Sequence, residues 1–145
     1  MLDGRFNLIW AQQKIPVIVH RGNGRKLRVR LPFYPNNRAW LGQLGRINPI
    51  WNAAEKFWVL PTAWFEKLVK RAVERYPAVY VVQLFKEQQK CAPACWNAEG
   101  IHCECSCMGA NHGSGQPNGH WFIVSDTFAF SWGDERFASR LLRAR

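Results

Sequence analysis

The sequence predicts an α+β fold: a small mixed sheet with two helices, followed by a β-hairpin and a C-terminal helix. Three observations predict it. Short stretches of apolar alternation share the first 85 residues with one strong stretch of helical periodicity. A segment rich in Cys, Gly, Asn and Pro then spans residues 91–119 with few periodic apolar positions. Apolar runs resume after it. With 145 residues, 48% of them apolar and eight of them Trp, the chain can bury a real core, which excludes a disordered tail. The organisation expected is two parts, residues 1–88 and residues 89–145.

Each element has a local reason. Apolar residues cluster at 6–10 and again at 15–20, and the second run, IPVIVH, reads as a strand. RGNGR at 21–25 is a turn, since Gly and Asn tolerate positive φ. In KLRVRL the alternation sets Leu27, Val29 and Leu31 on one face and Lys26, Arg28 and Arg30 on the other. Tyr34-Pro35-Asn36-Asn37 breaks the strand and starts a short helix over 37–44, with Trp40, Leu41 and Leu44 inward. Strands at 47–51 and 57–60 form a hairpin, and Trp40, Trp51, Trp58 and Trp64 sit at apolar positions that assign them to the core. The clearest helix covers 63–76, between a Thr62 cap and Pro77, with Phe65, Leu68, Val69, Ala72 and Val73 in one stripe. A β-prone strand follows at 78–85. In the second part, 119–124 and 127–132 read as a hairpin about Ser125-Asp126. Asp134 then caps a helix carrying Phe137, Leu141 and Leu142.

The charge is asymmetric. Of 20 Lys/Arg and 10 Asp/Glu in the chain, residues 1–88 hold 15 and 5, so the whole net charge of +10 lies there. A basic excess confined to one segment points to a polyanion, with nucleic acid the first candidate. The candidate binding residues are Lys26, Arg28 and Arg30 on an outward strand face, Arg21 and Arg25 from the turn, and Lys67, Lys70 and Arg71 bordering from the helix.

All five cysteines fall within residues 91–107, in the order Cys91-x3-Cys95-x7-Cys103-x-Cys105-x-Cys107-x4-His112. An odd, crowded set suits metal better than a disulfide scaffold. Zinc takes four thiolate or imidazole ligands in a tetrahedron. Cys91, Cys95, Cys107 and His112 are the preferred ligands, with Cys105 and Cys103 as alternates, and Zn2+ would staple the hairpin and helix of the second part. An iron–sulfur cluster is the rival metal.

Strand, helix, hairpin, helix and strand over 26–85, together with Trp51 and Lys56-Phe57-Trp58-Val59-Leu60-Pro61, resemble the HARP domain of annealing helicases. The resemblance covers about 60 residues and implies DNA binding, of branched or partly single-stranded DNA in particular. The Cys block, with its C-x-C and later Cys/His pair, is similar to the SWIM zinc finger, from which it departs in the spacing of the His. It also resembles a pattern in small uncharacterised proteins of phages and actinobacteria, which brings no function with it.

No G-x-x-x-x-G-K-[ST] phosphate loop occurs, so no ATP-driven motor is expected. No deaminase or HExxH signature accompanies the cysteines. The expected function is therefore non-enzymatic nucleic-acid binding, with a place in a nucleoprotein assembly. A protein-docking or inhibitor module working through the zinc unit is the alternative. A small metal-dependent nuclease using His102, His112 or His120 with Asp126 comes third. No secretory leader and no apolar run long enough to cross a membrane is read, so the expected location is cytoplasmic, with no membrane partner.

The Cys/His reading predicts about one zinc per chain. Cys107→Ser and His112→Ala should each lower metal content and melting temperature together. Elemental analysis and a thermal melt of both variants check this; full zinc in both would overturn the ligand set.

Overall fold

A computed structural model describes residues 4–22, 24–84 and 122–144. Helix α1 (Gly4–Ala11) leads into strand β1 (Val17–His20), and the RGNGR turn connects it to β2 (Leu27–Arg30). Helix α2 (Asn37–Gly42), the hairpin strands β3 (Ile50–Asn52) and β4 (Phe57–Leu60), helix α3 (Phe65–Arg75) and β5 (Val79–Leu84) follow. Strands β6 (Phe122–Trp132) and β7 (Glu135–Ala144) close the described chain. The seven strands form one mixed sheet in the order β3-β4-β2-β1-β5-β7-β6. Among the described strands only β1 and β5 pair in parallel, in the register Val17 with Tyr80 through His20 with Gln83.

Alternation along the strands divides the apolar residues between two faces. Ile18, Leu27, Val29, Leu60, Val79 and Val81 pack under α3, whose Phe65, Leu68, Val69, Ala72 and Val73 face the sheet. Val17, Val19 and Val82 point the other way and meet Phe6 and Ile9 of α1, with Phe130 and Phe137 beside them. Strand β1 is buried at all four residues because both faces are covered there.

The predicted order of strand, helix, hairpin, helix and strand over 26–85 is found, within a larger mixed sheet than expected and beside a further helix, α1. The C-terminal helix is not found: residues 135–144 are β7. The i, i+4 spacing of Phe137 and Leu141 suits a helix, but β7 pairs with β5 on one side and β6 on the other. Those two ladders satisfy its backbone and override local preference. As a strand it buries Phe137, Ala138, Ser139, Arg140, Leu141 and Leu142.

The second hairpin also turns elsewhere. It turns at Gly133-Asp134, where Gly133 adopts φ 62°, as the first central position of a two-residue hairpin turn requires. Ser125-Asp126 marks a β-bulge instead. Between the pairs Ser125–Leu141 and Phe128–Ser139, two residues of β6 oppose Arg140 alone, and Asp126 has φ 53°. The bulge resets the alternation, so that Phe128, Phe130 and Trp132 all point toward α1. The Cys/His block, with Cys91, Cys95, Cys103, Cys105, Cys107 and His112, lies outside the described residues, as does the boundary expected at 88/89. No helix is long and apolar enough to cross a membrane among the described residues.

One close approach makes a test of the packing after α2. A Cβ on Gly45 would sit 2.8 Å from Cζ2 and Nε1 of Trp64, a ring lodged against the α3-side core. Gly45→Ala should therefore destabilise the protein by about 1–3 kcal/mol, the range for overpacking. The penalty should shrink when Trp64 is also replaced by Leu, because adjacent changes couple. Urea unfolding of the single and double variants measures both.

Candidate nucleic-acid interface

The alternation of β2 holds as expected: Leu27 and Val29 are fully buried, while Arg28 and Arg30 share the opposite face with Val17 and Val19. That face is not bare. Helix α1 and several aromatic side chains wall it, so both arginines are half-buried. Arg30 donates from Nη1 to the carbonyl of Trp10 at 2.7 Å and from Nη2 to that of Glu55 at 2.8 Å. Its guanidinium lies 4.4 Å from the Trp10 ring centre. Burial lowers its pKa and Glu55 partly restores it. Arg28 lies 5.3 Å from the Phe57 ring centre and 5.8 Å from that of Trp132. Among the described residues it has only these ring contacts.

The turn between β1 and β2 adds three cations. Gly22 and Gly24 take φ 103° and 84°, a conformation that larger residues adopt only under strain. Arg21 sits 4.6 Å from the Trp132 ring centre; burial lowers its pKa most, then repulsion from Arg28 and Arg25, against a raising effect of Glu135. Arg25 pairs with Glu135 at 2.5 Å, and Thr62 Oγ donates to the Arg25 carbonyl, fixing the turn against the start of α3. Thr62 is thus used across the fold rather than as a helix cap. Lys26 is exposed.

The sheet separates these residues from the other expected cations. Lys67, Lys70 and Arg71 belong to α3, on the far face. Lys67 donates to the Leu44 carbonyl at 3.3 Å, and Arg71 to Gln43 Oε1 at 2.6 Å.

Two concave regions border Arg30. One, of about 490 Å³, lies between α1 and the sheet over Arg28 and Arg30. The other, of about 610 Å³, is a groove that runs past Arg30, Lys56 and Arg38 and is edged by Phe33, Tyr34 and Trp51. Those three rings are 87%, 49% and 42% exposed. Trp51 leans on Trp58 with centroids 5.0 Å apart, and Arg38 covers Trp58 at 5.0 Å. Arg75 of α3 reaches the Tyr34 ring at 5.2 Å and donates to Asn36 Oδ1 at 3.0 Å. Flat apolar surfaces thus share one groove with guanidinium and ammonium groups.

The sequence reading missed Phe33, Tyr34, Arg38 and Lys56 as site residues and assigned Trp51 to the core. A signal existed in LPFYPNN, where two aromatic residues precede a proline outside any apolar period. Among the described residues no group of three His, Cys, Asp or Glu side chains could hold a metal ion. Comparison of the chain with protein-family models, curated proteins and solved structures returned no match.

Arg30 ties the end of α1 to the β3–β4 turn, so Arg30→Ala should not leave the fold untouched. A loss of roughly 1–3 kcal/mol is expected from its two charge-assisted hydrogen bonds and its packed stem. Exposed Lys26→Ala should change stability by less than about 0.5 kcal/mol. Paired urea melts compare the two.

Proposed function

We propose that this chain binds single-stranded nucleic acid, without catalysis, along the groove edged by Phe33, Tyr34 and Trp51. One observation carries the reading: three exposed rings stand beside Arg30, Arg38 and Lys56 on one concave surface. Bases of any sequence can stack on such rings while the cations follow the phosphates. A net charge of +10 supports the same partner. So does the likeness of residues 26–85 to a domain that binds partly single-stranded DNA. DNA is the first substrate to try, and a nucleoprotein assembly is the setting in which such a module would serve. In this reading zinc on Cys91, Cys95, Cys107 and His112 is a structural staple, with no part in the contact itself.

Two variants separate binding from folding. Phe33 is nearly fully exposed, so Phe33→Ala should melt like the native protein. Losing one stacked base should weaken binding of a labelled decathymidylate by about 5- to 150-fold, the equivalent of roughly 1–3 kcal/mol. Lys56 holds φ 61°, where Gly is at ease, so Lys56→Gly should fold at least as well while removing a cation. Its plot of log K against log salt should be shallower by about 0.7. Anisotropy titrations over a range of salt read both. Unchanged affinity in Phe33→Ala and Trp51→Ala alike would overturn the groove reading.

A further inference from the structure

Beside the open groove lies the smaller cavity over Arg28, and its walls differ. Four rings follow one another around it: Phe57 of β4, Trp10 and Phe6 of α1, and Trp132 of β6. Their successive centroids are 5.9, 6.2 and 6.0 Å apart. Arg28 lies against both ends of this series, at Phe57 and at Trp132. The result is a box with aromatic sides and a guanidinium among its walls.

The charge of that guanidinium is left over. Among the described residues, Arg5 and Arg25 each have a carboxylate partner, and Arg30 has two carbonyls. Arg28 has rings alone, and rings satisfy none of its five N–H donors in their own plane. Arg21 also lies against Trp132, 4.6 Å from its ring centre, and the two cations repel each other. Half-burying a guanidinium without hydrogen bonds is costly, and an oxyanion is the group that relieves it. Among the described residues, Glu55 in the β3–β4 turn is the one carboxylate lining the cavity, and the cation it acts on is Arg30. The anion therefore belongs at the Arg28 end, and the apolar, planar remainder of the ligand against the rings.

We propose that this box receives a single phosphorylated nucleotide, with its phosphate on Arg28 and its base among Phe57, Trp10, Phe6 and Trp132. A cavity of about 490 Å³ is of the size that takes small ligands. Arg30 and Lys56 line both the box and the groove, so the nucleotide can be free or can be the phosphorylated end of a strand lying in the groove. The strand-end form rests on the function proposed above; the free nucleotide does not.

The experiment keeps the two apart. Calorimetry of the native full-length chain with adenosine and uridine 5′-monophosphates, and with the matching nucleosides, tests the box alone. Binding of a monophosphate at least about 10-fold tighter than its nucleoside is expected, the effect of charge-assisted bonds to phosphate. Anisotropy with hexathymidylate bearing a 5′-phosphate, a 3′-phosphate or none then tests the strand end. One phosphorylated form should bind about 10-fold more tightly, and Arg28→Gln should erase that difference. If strands bind but neither free monophosphates nor terminal phosphates gain anything, the box proposal is wrong and the groove reading stands. If monophosphates bind and strands do not, the box stands and the groove reading fails. If neither binds, both are wrong. The native-protein comparisons need no variant, so poor folding of Arg28→Gln would not obscure the answer.

Discussion

The parallel pairing of β1 with β5 is the contact on which the remaining geometry depends. It joins segments some 60 residues apart and is, among the described residues, the one parallel ladder in the sheet. Its register sends Ile18 and Val81 to one face and Val17, Val19 and Val82 to the other. A slip of one residue would exchange those sets, presenting the wrong side chains to α1 and α3 alike. Everything outside this pair is antiparallel and extends from it: β2, β4 and β3 on one side, β7 and β6 on the other. Four buried residues in β1 leave little freedom in that register.

A sheet covered on both faces is also a partition. On the α3 side, helix and strands meet in a continuous apolar layer, and the cations of α3 stay at its outer surface. Among the described residues, the helix on the α1 side is eight residues long and packs over Val17, Val19 and Val82. Arg28 and Arg30 emerge beside that helix, and rings from three elements, α1, β4 and β6, crowd around them. Cationic chemistry on this face is therefore held among aromatic walls, half out of water.

What the sequence disclosed follows the same division. Alternation in Leu27-Arg28-Val29-Arg30 identified which side each residue takes, because period two is a local property of the strand. It could not say that the outward side would be walled by Trp10 and Trp132, which arrive from positions far along the chain. The stripe of α3 was legible for the same local reason. Residues 135–144 were not: Phe137, Leu141 and Leu142 fit a helix, and only two long-range ladders make them a strand. The dipeptide Gly133-Asp134 was a readable hairpin signal, overshadowed by Ser125-Asp126, whose break in the strand is a bulge. Trp51 illustrates a further limit. Hydrophobicity assigned it to the core, yet it lies on a three-residue edge strand with one side open to solvent. The cysteines form the most patterned segment of the sequence and fall outside the described residues.

The place of β7 has a consequence for the order in which the chain is made. Strand β5 is bordered by β1 on one side and β7 on the other, and about 50 residues of synthesis separate β5 from β7. At ribosomal rates of 5–20 residues per second, roughly 3–10 s pass before β7 exists. Among the described residues, nothing made in that interval pairs with the outer row of N–H and C=O groups of β5, an apolar strand. A nascent chain in this condition can recruit any extended segment that passes, including that of a neighbour on the same message. The long β6–β7 hairpin, joined by its tight Gly133 turn, brings the strand that covers this edge through the six pairs from Val79–Leu142 to Leu84–Phe137.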